Sequence, residues 1–368
     1  DRWPNDKLAR LGAESILQSF NVREDWSQLN QWSRKFKGNA TLSADKAFKK
    51  KVSELVEGAS FNEILYVFEP KSSPMEIADY YNGFVREFPK SKYAMVGLYN
   101  TLINYDKAGA LQKAIDSSEK LLNEYATFKI SKEEIKKTKK EGTSLPEPDL
   151  LREKTLFLAA SFYERFAEFE RSAKYYESYA KQFKKGPKRA DALFNAGLFR
   201  EGLGQYTEAI IDFDTYIRDF PKKEDALDIL WRIGLIHEKQ KSYSVVVKHY
   251  DIFKSKVKST DPARYICAEY KIAKAKVELG RADSGTWTNL VKLYQALPDD
   301  KKTDVCALDA VGQAAFVLLE GDYDSYMAIK LTGSEKQITN NLMDKLKRVE
   351  ELQGKYTQVL QLGQGDYG

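Results

Sequence analysis

Two histidines, two cysteines and the Asp and Glu carboxylates are the side chains of this 368-residue sequence best suited to metal, redox or acid–base chemistry. His237 and His249 fall in different predicted helices and in no HExxH or other ligand spacing, so by pattern they make no metal site. A four-thiolate zinc site is out of reach with Cys267 and Cys306 alone. Each cysteine lies in an apolar helical stretch, which favours two buried free thiols; the alternative is a pair bridging adjacent structural units. No GxSxG elbow and no phosphate loop occurs. The closing Gly363-Gln364-Gly365-Asp366-Tyr367-Gly368 spells GxGxxG, yet that fingerprint needs a strand before it and a helix after it, and here a long predicted helix precedes it. Nothing selects an acid–base pair from the carboxylates. The expectation is a protein that is not an enzyme and has no metal, no cofactor and no small-molecule substrate.

The more telling residues are aromatic and recur. From Ala190 to Lys223 two amphipathic helices can be read, separated by Gly202-Leu203-Gly204 and closed by Phe220-Pro221. Small residues, Gly197 and Ala209, stand where the two must nearly touch, with Tyr206, Phe213 and Tyr216 around them. A shift of 37 residues back places Ala160, Phe169, Tyr176 and Tyr179 on Gly197, Tyr206, Phe213 and Tyr216; the same shift forward places Gly234, Tyr243, Tyr250 and Phe253 there. A period between about 20 and 50 residues marks a solenoid. Ser172 and Val246 replace Ala209 in the flanking units, which predicts wider helix spacing there.

Length alone suggests two or more domains, but repeat arrays contact only their neighbours and evade that rule. With 42% apolar and 12% aromatic residues a core is affordable. The 59 basic and 54 acidic residues are interleaved, and a net charge of +5 spread so thinly argues for neither nucleic acid nor membrane. No apolar run is long enough to span a bilayer. The start at Asp1, with neither Met nor signal peptide, predicts that a leader, or more, has been removed or left off.

In chain order, Leu8, Leu11, Ile16, Leu17 and Phe20 predict a helix after Pro4, and Trp26, Leu29, Trp32 and Phe36 share one face of the next. A third follows from about Lys46 to Glu57, carrying a basic patch of Lys46, Lys49, Lys50 and Lys51, read as a solvated face. Asn39-Ala40-Thr41 is a weak glycosylation pattern. Ala94–Asn104 and Lys113–Tyr125 predict a first and a second helix. Residues 129–149 predict a basic helical extension rich in lysine, followed by a flexible loop. Arg264–Gly280 and Thr303–Gly321 read as first helices, with Gly321-Asp322-Tyr323 echoing the turn at Gly204-Gln205-Tyr206. A long last helix spans about Glu335–Leu362. The divisions expected are 1–145, divergent helical repeats; 150–333, a solenoid core; and 334–368, a long C-terminal helix leading into further repeats.

The spacing Gly197, Ala209, Pro221 resembles positions 8, 20 and 32 of the tetratricopeptide repeat, a helix–turn–helix of about 34 residues. That resemblance implies an all-α fold, a right-handed α-solenoid of helix hairpins with divergent terminal helices. It also implies a non-catalytic scaffold whose first helices line a concave groove through positions 2, 5, 9 and 12. Position 5 is Phe157, Phe194 and Trp231; position 9 is Ser161, Leu198 and Leu235; position 12 is Glu164, Glu201 and Glu238. An aromatic column beside an acidic column suits a peptide or helix of another protein, with Phe157, Phe194, Trp231, Leu198 and Leu235 as anchors and the glutamates favouring basic residues. The rival reading packs the rings against neighbouring repeats. Arrays of this family that grip a C-terminal carboxylate carry Lys and Asn at positions 5 and 9, which this chain lacks. Val22–Phe36 and Gly354–Gly368 look like segments of deltaproteobacterial cell-envelope proteins of this family. The three-repeat core is similar to periplasmic members serving outer-membrane assembly or Tol-Pal. Both resemblances imply the periplasm or cell envelope and an envelope complex; otherwise the cytoplasm is expected. The alternative function is a nucleic-acid- or anionic-surface-binding helical repeat protein using the lysine-rich segments.

Overall fold

The computed structural model describes residues 7–140 and 143–362. Among the described residues seventeen α-helices run in chain order: α1 (Lys7–Val22), α2 (Trp26–Gly38), α3 (Lys46–Glu63), α4 (Pro74–Glu87), α5 (Ala94–Lys107), α6 (Leu111–Glu124), α7 (Lys132–Lys140), α8 (Pro148–Arg165), α9 (Phe169–Gln182), α10 (Arg189–Gly202), α11 (Tyr206–Asp219), α12 (Ala226–Lys239), α13 (Tyr243–Val257), α14 (Pro262–Glu278), α15 (Ser284–Gln295), α16 (Val305–Met327) and α17 (Glu335–Leu362). Among the described residues there is no strand. The fold is all-α, an α-solenoid of helix hairpins. The closing GxGxxG hexapeptide, Pro4 and Glu141-Gly142 lie outside the described residues.

Packing divides the chain within α11 into two compact units, residues 1–212 and 213–368. The sequence divisions follow repeat character, whereas these units follow contact. In the first, each helix from α4 to α10 packs on its chain neighbours, except that α8 succeeds α6 with α7 set aside. In the second, α12 to α16 do the same and α17 packs along α16.

One device recurs at the hairpin turns. Glu24, Gly109, Ala167, Gly204, Lys241 and Gly280 each adopt a positive φ, between 55° and 73°, in the turn between α1 and α2 or between the paired helices that follow. Around Gly204 its own N–H donates to the Glu201 carbonyl and the Gln205 N–H to the Arg200 carbonyl; the same pair of bonds surrounds Ala167 and Lys241. This ending satisfies helix carbonyls that would otherwise be bare, and it requires the left-handed conformation that glycine adopts without strain.

Several expectations are corrected. Ser172 does not hold its hairpin apart: its hydroxyl donates to the Ala160 carbonyl of the facing helix at 2.8 Å, and both Ser172 and Val246 are fully buried. Gly321-Asp322-Tyr323 is no turn but lies inside α16, because a mid-helix glycine costs only about 1 kcal/mol. The segment after α7 docks instead of hanging free, with Leu145 buried and Thr143 donating to Asn62 Oδ1 at 2.9 Å. The two cysteines are not free thiols: Cys267 of α14 and Cys306 of α16 form a disulfide with Cα atoms 5.7 Å apart. Their approach is set by the packing of α14 on α16, which no local pattern announces.

Candidate interaction site

The position-5 rings are half-buried, and two of them, Phe157 and Trp231, are gripped from one side by the second helix of their own hairpin. In the first unit Phe157 of α8 meets Tyr176 and Tyr179 of α9 edge-to-face at 5.2 and 5.5 Å. In the second, Trp231 of α12 meets Tyr250 and Phe253 of α13 the same way at 4.9 and 5.1 Å. This geometry sets the positive edge of one ring against the negative face of another and fixes the ring plane. Phe194 and Leu198 on α10, and Leu235 on α12, are likewise half-buried. Phe199 of α10 bridges neighbouring hairpins, its ring 5.4 Å from Phe169 and 6.2 Å from Tyr176, and Lys188 at the start of α10 lies 5.8 Å over the Phe157 ring.

Two of the position-12 glutamates, Glu164 and Glu238, accept a tyrosine hydroxyl from inside their own hairpin. Glu164, exposed at the end of α8, accepts a hydrogen bond from the Tyr176 hydroxyl at 3.1 Å. Glu238 accepts one from the Tyr250 hydroxyl at 2.8 Å and pairs with Lys271 at 2.8 Å. Burial and the adjoining carboxylate push both phenols well above their ordinary range, so each stays a donor. Glutamate and tyrosine stand twelve residues apart, one hairpin turn, in both units. In the 190–223 unit that position is Phe213, which has no hydroxyl to donate, and Glu201 is half-buried.

Two clusters escaped the motif reading. Arg200, only 6% exposed, donates to Glu177 at 2.6 and 2.9 Å and to Gln205 at 2.5 Å. Asp212 lies close by, 7% exposed, with Oδ2 buried and unpartnered; burial, then the Glu177 charge, push its carboxyl up to about 7 despite Arg200. Both residues do carry a sequence signal: Leu193, Ala196, Gly197, Arg200 and Ala209, Asp212, Phe213, Tyr216 each trace one helical face, so a charge sits in an apolar stripe. His237 and His249 also meet, rings 5.6 Å apart, with His249 Nε2 at 2.7 Å from the Leu230 carbonyl oxygen. Burial lowers the His249 pKa, which keeps it neutral near pH 7. Among the described residues no group of three or more His, Cys, Asp or Glu could hold a metal.

The lysine-rich stretch forms α7, where Glu134 pairs with Lys92 at 2.5 Å. A cleft of about 660 Å³ opens between α1 and α3, lined by Leu11, Val22 and Leu55, with Glu14 and Lys51 paired at 2.8 Å on its wall. No described helix is long and apolar enough to cross a membrane.

With this geometry in place, residues 191–223 match the family model described as tetratricopeptide repeat. The chain carries a tetratricopeptide repeat. Similar solved structures include a tetratricopeptide repeat protein from Parabacteroides merdae, at 16% identity over 78% of this chain and 99% of that one, TM-score 0.34. Another is MamA from Desulfovibrio magneticus, at 14% identity over 56% and 97%, TM-score 0.32. A third is pilF of Pseudomonas aeruginosa, at 13% identity over 66% and 93%, TM-score 0.30. No curated protein matches the chain. Tetratricopeptide repeats commonly bind other proteins or peptides and generally serve as non-catalytic scaffolds.

Proposed function

We propose that the protein is a non-catalytic scaffold that holds an extended or helical segment of a cell-envelope protein. Phe157, Phe194 and Leu198 on the first unit, and Trp231 and Leu235 on the second, are its apolar anchors; Glu164, Glu201 and Glu238 favour basic residues of the partner. The observation that carries this reading is the partly buried aromatic at one recurring position, its plane fixed from behind at Phe157 and Trp231 by a buried Tyr or Phe. A ring already held loses little freedom on binding, so its contact area converts efficiently into affinity. The hydroxyl-bound glutamates are oriented in the same way, and a basic partner shares them with a tyrosine. The disulfide between Cys267 and Cys306 supports an oxidising compartment such as the periplasm. The test is capture from native envelope extracts by the purified chain. Phe194→Ala with Trp231→Ala should lose the captured proteins while keeping the helical circular-dichroism spectrum. Loss of that spectrum, or unchanged capture, rejects the assignment.

A further inference from the structure

The net charge of the chain is concentrated in one place. Residues 129–140 hold six lysines against two glutamates, a net +4 out of the +5 of the whole chain, so all other residues together come to +1. The thin spread expected from the totals fails here. Most of this stretch is α7, which is an insertion: α6 packs directly on α8, so α7 is not needed to continue the solenoid. Its flanks are nevertheless tied down. Before it, Phe128 and Ile130 pack against the core, and Arg152 donates to the carbonyls of Tyr125 and Phe128 at 2.9 and 3.1 Å. After it, Leu145 is buried and Thr143 bonds to Asn62. The helix is therefore displayed at a fixed place on the surface of its unit.

Burial fixes which way α7 faces. Thr138 is fully buried and Glu134 and Ile135 are half-buried, which marks the side toward the body. At about 100° per residue, Lys132, Lys136 and Lys139 fall within an arc of about 60° whose nearer edge lies about 100° from Thr138, and all three are exposed. Glu133 and Lys137, also exposed, lie beyond Lys136, and Lys129 is exposed just before the helix. Glu134, on the body side, is matched by Lys92 at 2.5 Å. The exposed positions thus carry five lysines and one acid.

The residue types restrict what such a face can hold. Between 129 and 140 there is no arginine to grip a phosphate with a planar fork, no aromatic ring to stack on a base, and no asparagine or glutamine to read a base edge. The arc of Lys132, Lys136 and Lys139 includes no apolar side chain that could form the dry centre of a protein interface. Lysine ammoniums are strongly hydrated point charges, suited to an extended negative field they can meet without shedding water. A bilayer with anionic headgroups offers that field as a plane, and helices with about four to eight basic residues clustered together suit it.

We propose that α7 adsorbs the protein to the surface of a bilayer rich in anionic phospholipid, through the headgroup field and without insertion. The proposal is independent of the groove and its partner. The purified 368-residue chain should co-sediment at low salt with vesicles of mixed phosphatidylcholine and phosphatidylglycerol, but not with vesicles of phosphatidylcholine alone. It should come off at about 1 M salt, where the Debye length falls to about 3 Å. Each lysine near such a surface is worth about fivefold in affinity, so Lys132→Gln, Lys136→Gln and Lys139→Gln together should weaken binding about a hundredfold. Glutamine nearly matches lysine in helix propensity, so the helical spectrum should be retained. Lys248→Gln, Lys256→Gln and Lys258→Gln remove the same charge from exposed positions in and just after α13 and should leave binding unchanged. No binding to the mixed vesicles, equal loss in the two triple variants, or tighter binding to duplex DNA or polyglutamate than to the mixed vesicles each overturns the proposal.

Discussion

Gly234 tests whether hairpin spacing in the second unit is set by the absence of a side chain. A Cβ added there would lie 2.5 Å from Tyr250 Cζ and 2.7 Å from its hydroxyl oxygen, against an ordinary contact of about 3.5–4.0 Å. Tyr250 is fully buried, with its hydroxyl on Glu238 and Trp231 against its ring, so it cannot swing clear. Overpacking of this kind costs about 1–3 kcal/mol, and losing the hydroxyl bond adds about 1 kcal/mol. Alanine returns about 1 kcal/mol in helix propensity. Gly234→Ala should therefore destabilise the α12–α13 hairpin by about 2 kcal/mol. Because a solenoid need not unfold in one step, the suitable readout is hydrogen exchange at buried amides of α12 and α13, which should quicken about thirty-fold. Gly321→Ala is the control: its Cβ meets nothing within 4 Å, and it should gain about 1 kcal/mol. If the two variants behave alike, close approach at Gly234 does not set the spacing.

The left-handed turn residues should respond in the opposite direction. Ala167→Gly and Lys241→Gly each remove a conformational cost of about 1–2 kcal/mol at an entropic cost of about 0.5–1 kcal/mol, so each should stabilise by about 0.5–1 kcal/mol in denaturant titrations, whereas Gly204→Ala should destabilise. Asp212 should make stability depend on pH. Its carboxyl rises from 3.8 to about 7 on folding, so the folded state holds the proton more tightly. The stability it contributes is complete below about pH 4 and is lost as pH rises through 7, up to about 4 kcal/mol. Asp212→Asn should abolish that loss, and chemical denaturation of both forms at pH 5 and pH 8 measures it.

The repeated hairpins α8 to α13 were legible because their register is written in residue types: small residues where helices touch, aromatics around them, proline or glycine at the breaks. The turn geometry was legible only at Gly204. Ala167 and Lys241 adopt the same backbone with no compositional mark, since a short turn between packed helices imposes the conformation on whatever residue falls there. The C-terminal end of α16 departs from its pattern for a related reason: Gly321-Asp322-Tyr323 looks like a turn, yet the helix runs through it to Met327. For the candidate site, the recurrence of Phe157, Phe194 and Trp231 could be read from spacing. That Phe157 and Trp231 lean on tyrosines of the second helix, and that Glu164 and Glu238 accept their hydroxyls, depends on how the two helices of a hairpin face each other. The buried Arg200 and Asp212 were visible as charges in apolar stripes, but their pairing required the fold.

The bond between Cys267 and Cys306 spans a sequence separation of 39 residues and ties α14 directly to α16, leaving α15 as a side loop. Tension applied along the backbone therefore bypasses α15 altogether, passing from one cysteine to the other through sulfur. Stretched, the array would lengthen elsewhere first, and this stretch would yield its stored length only after reduction.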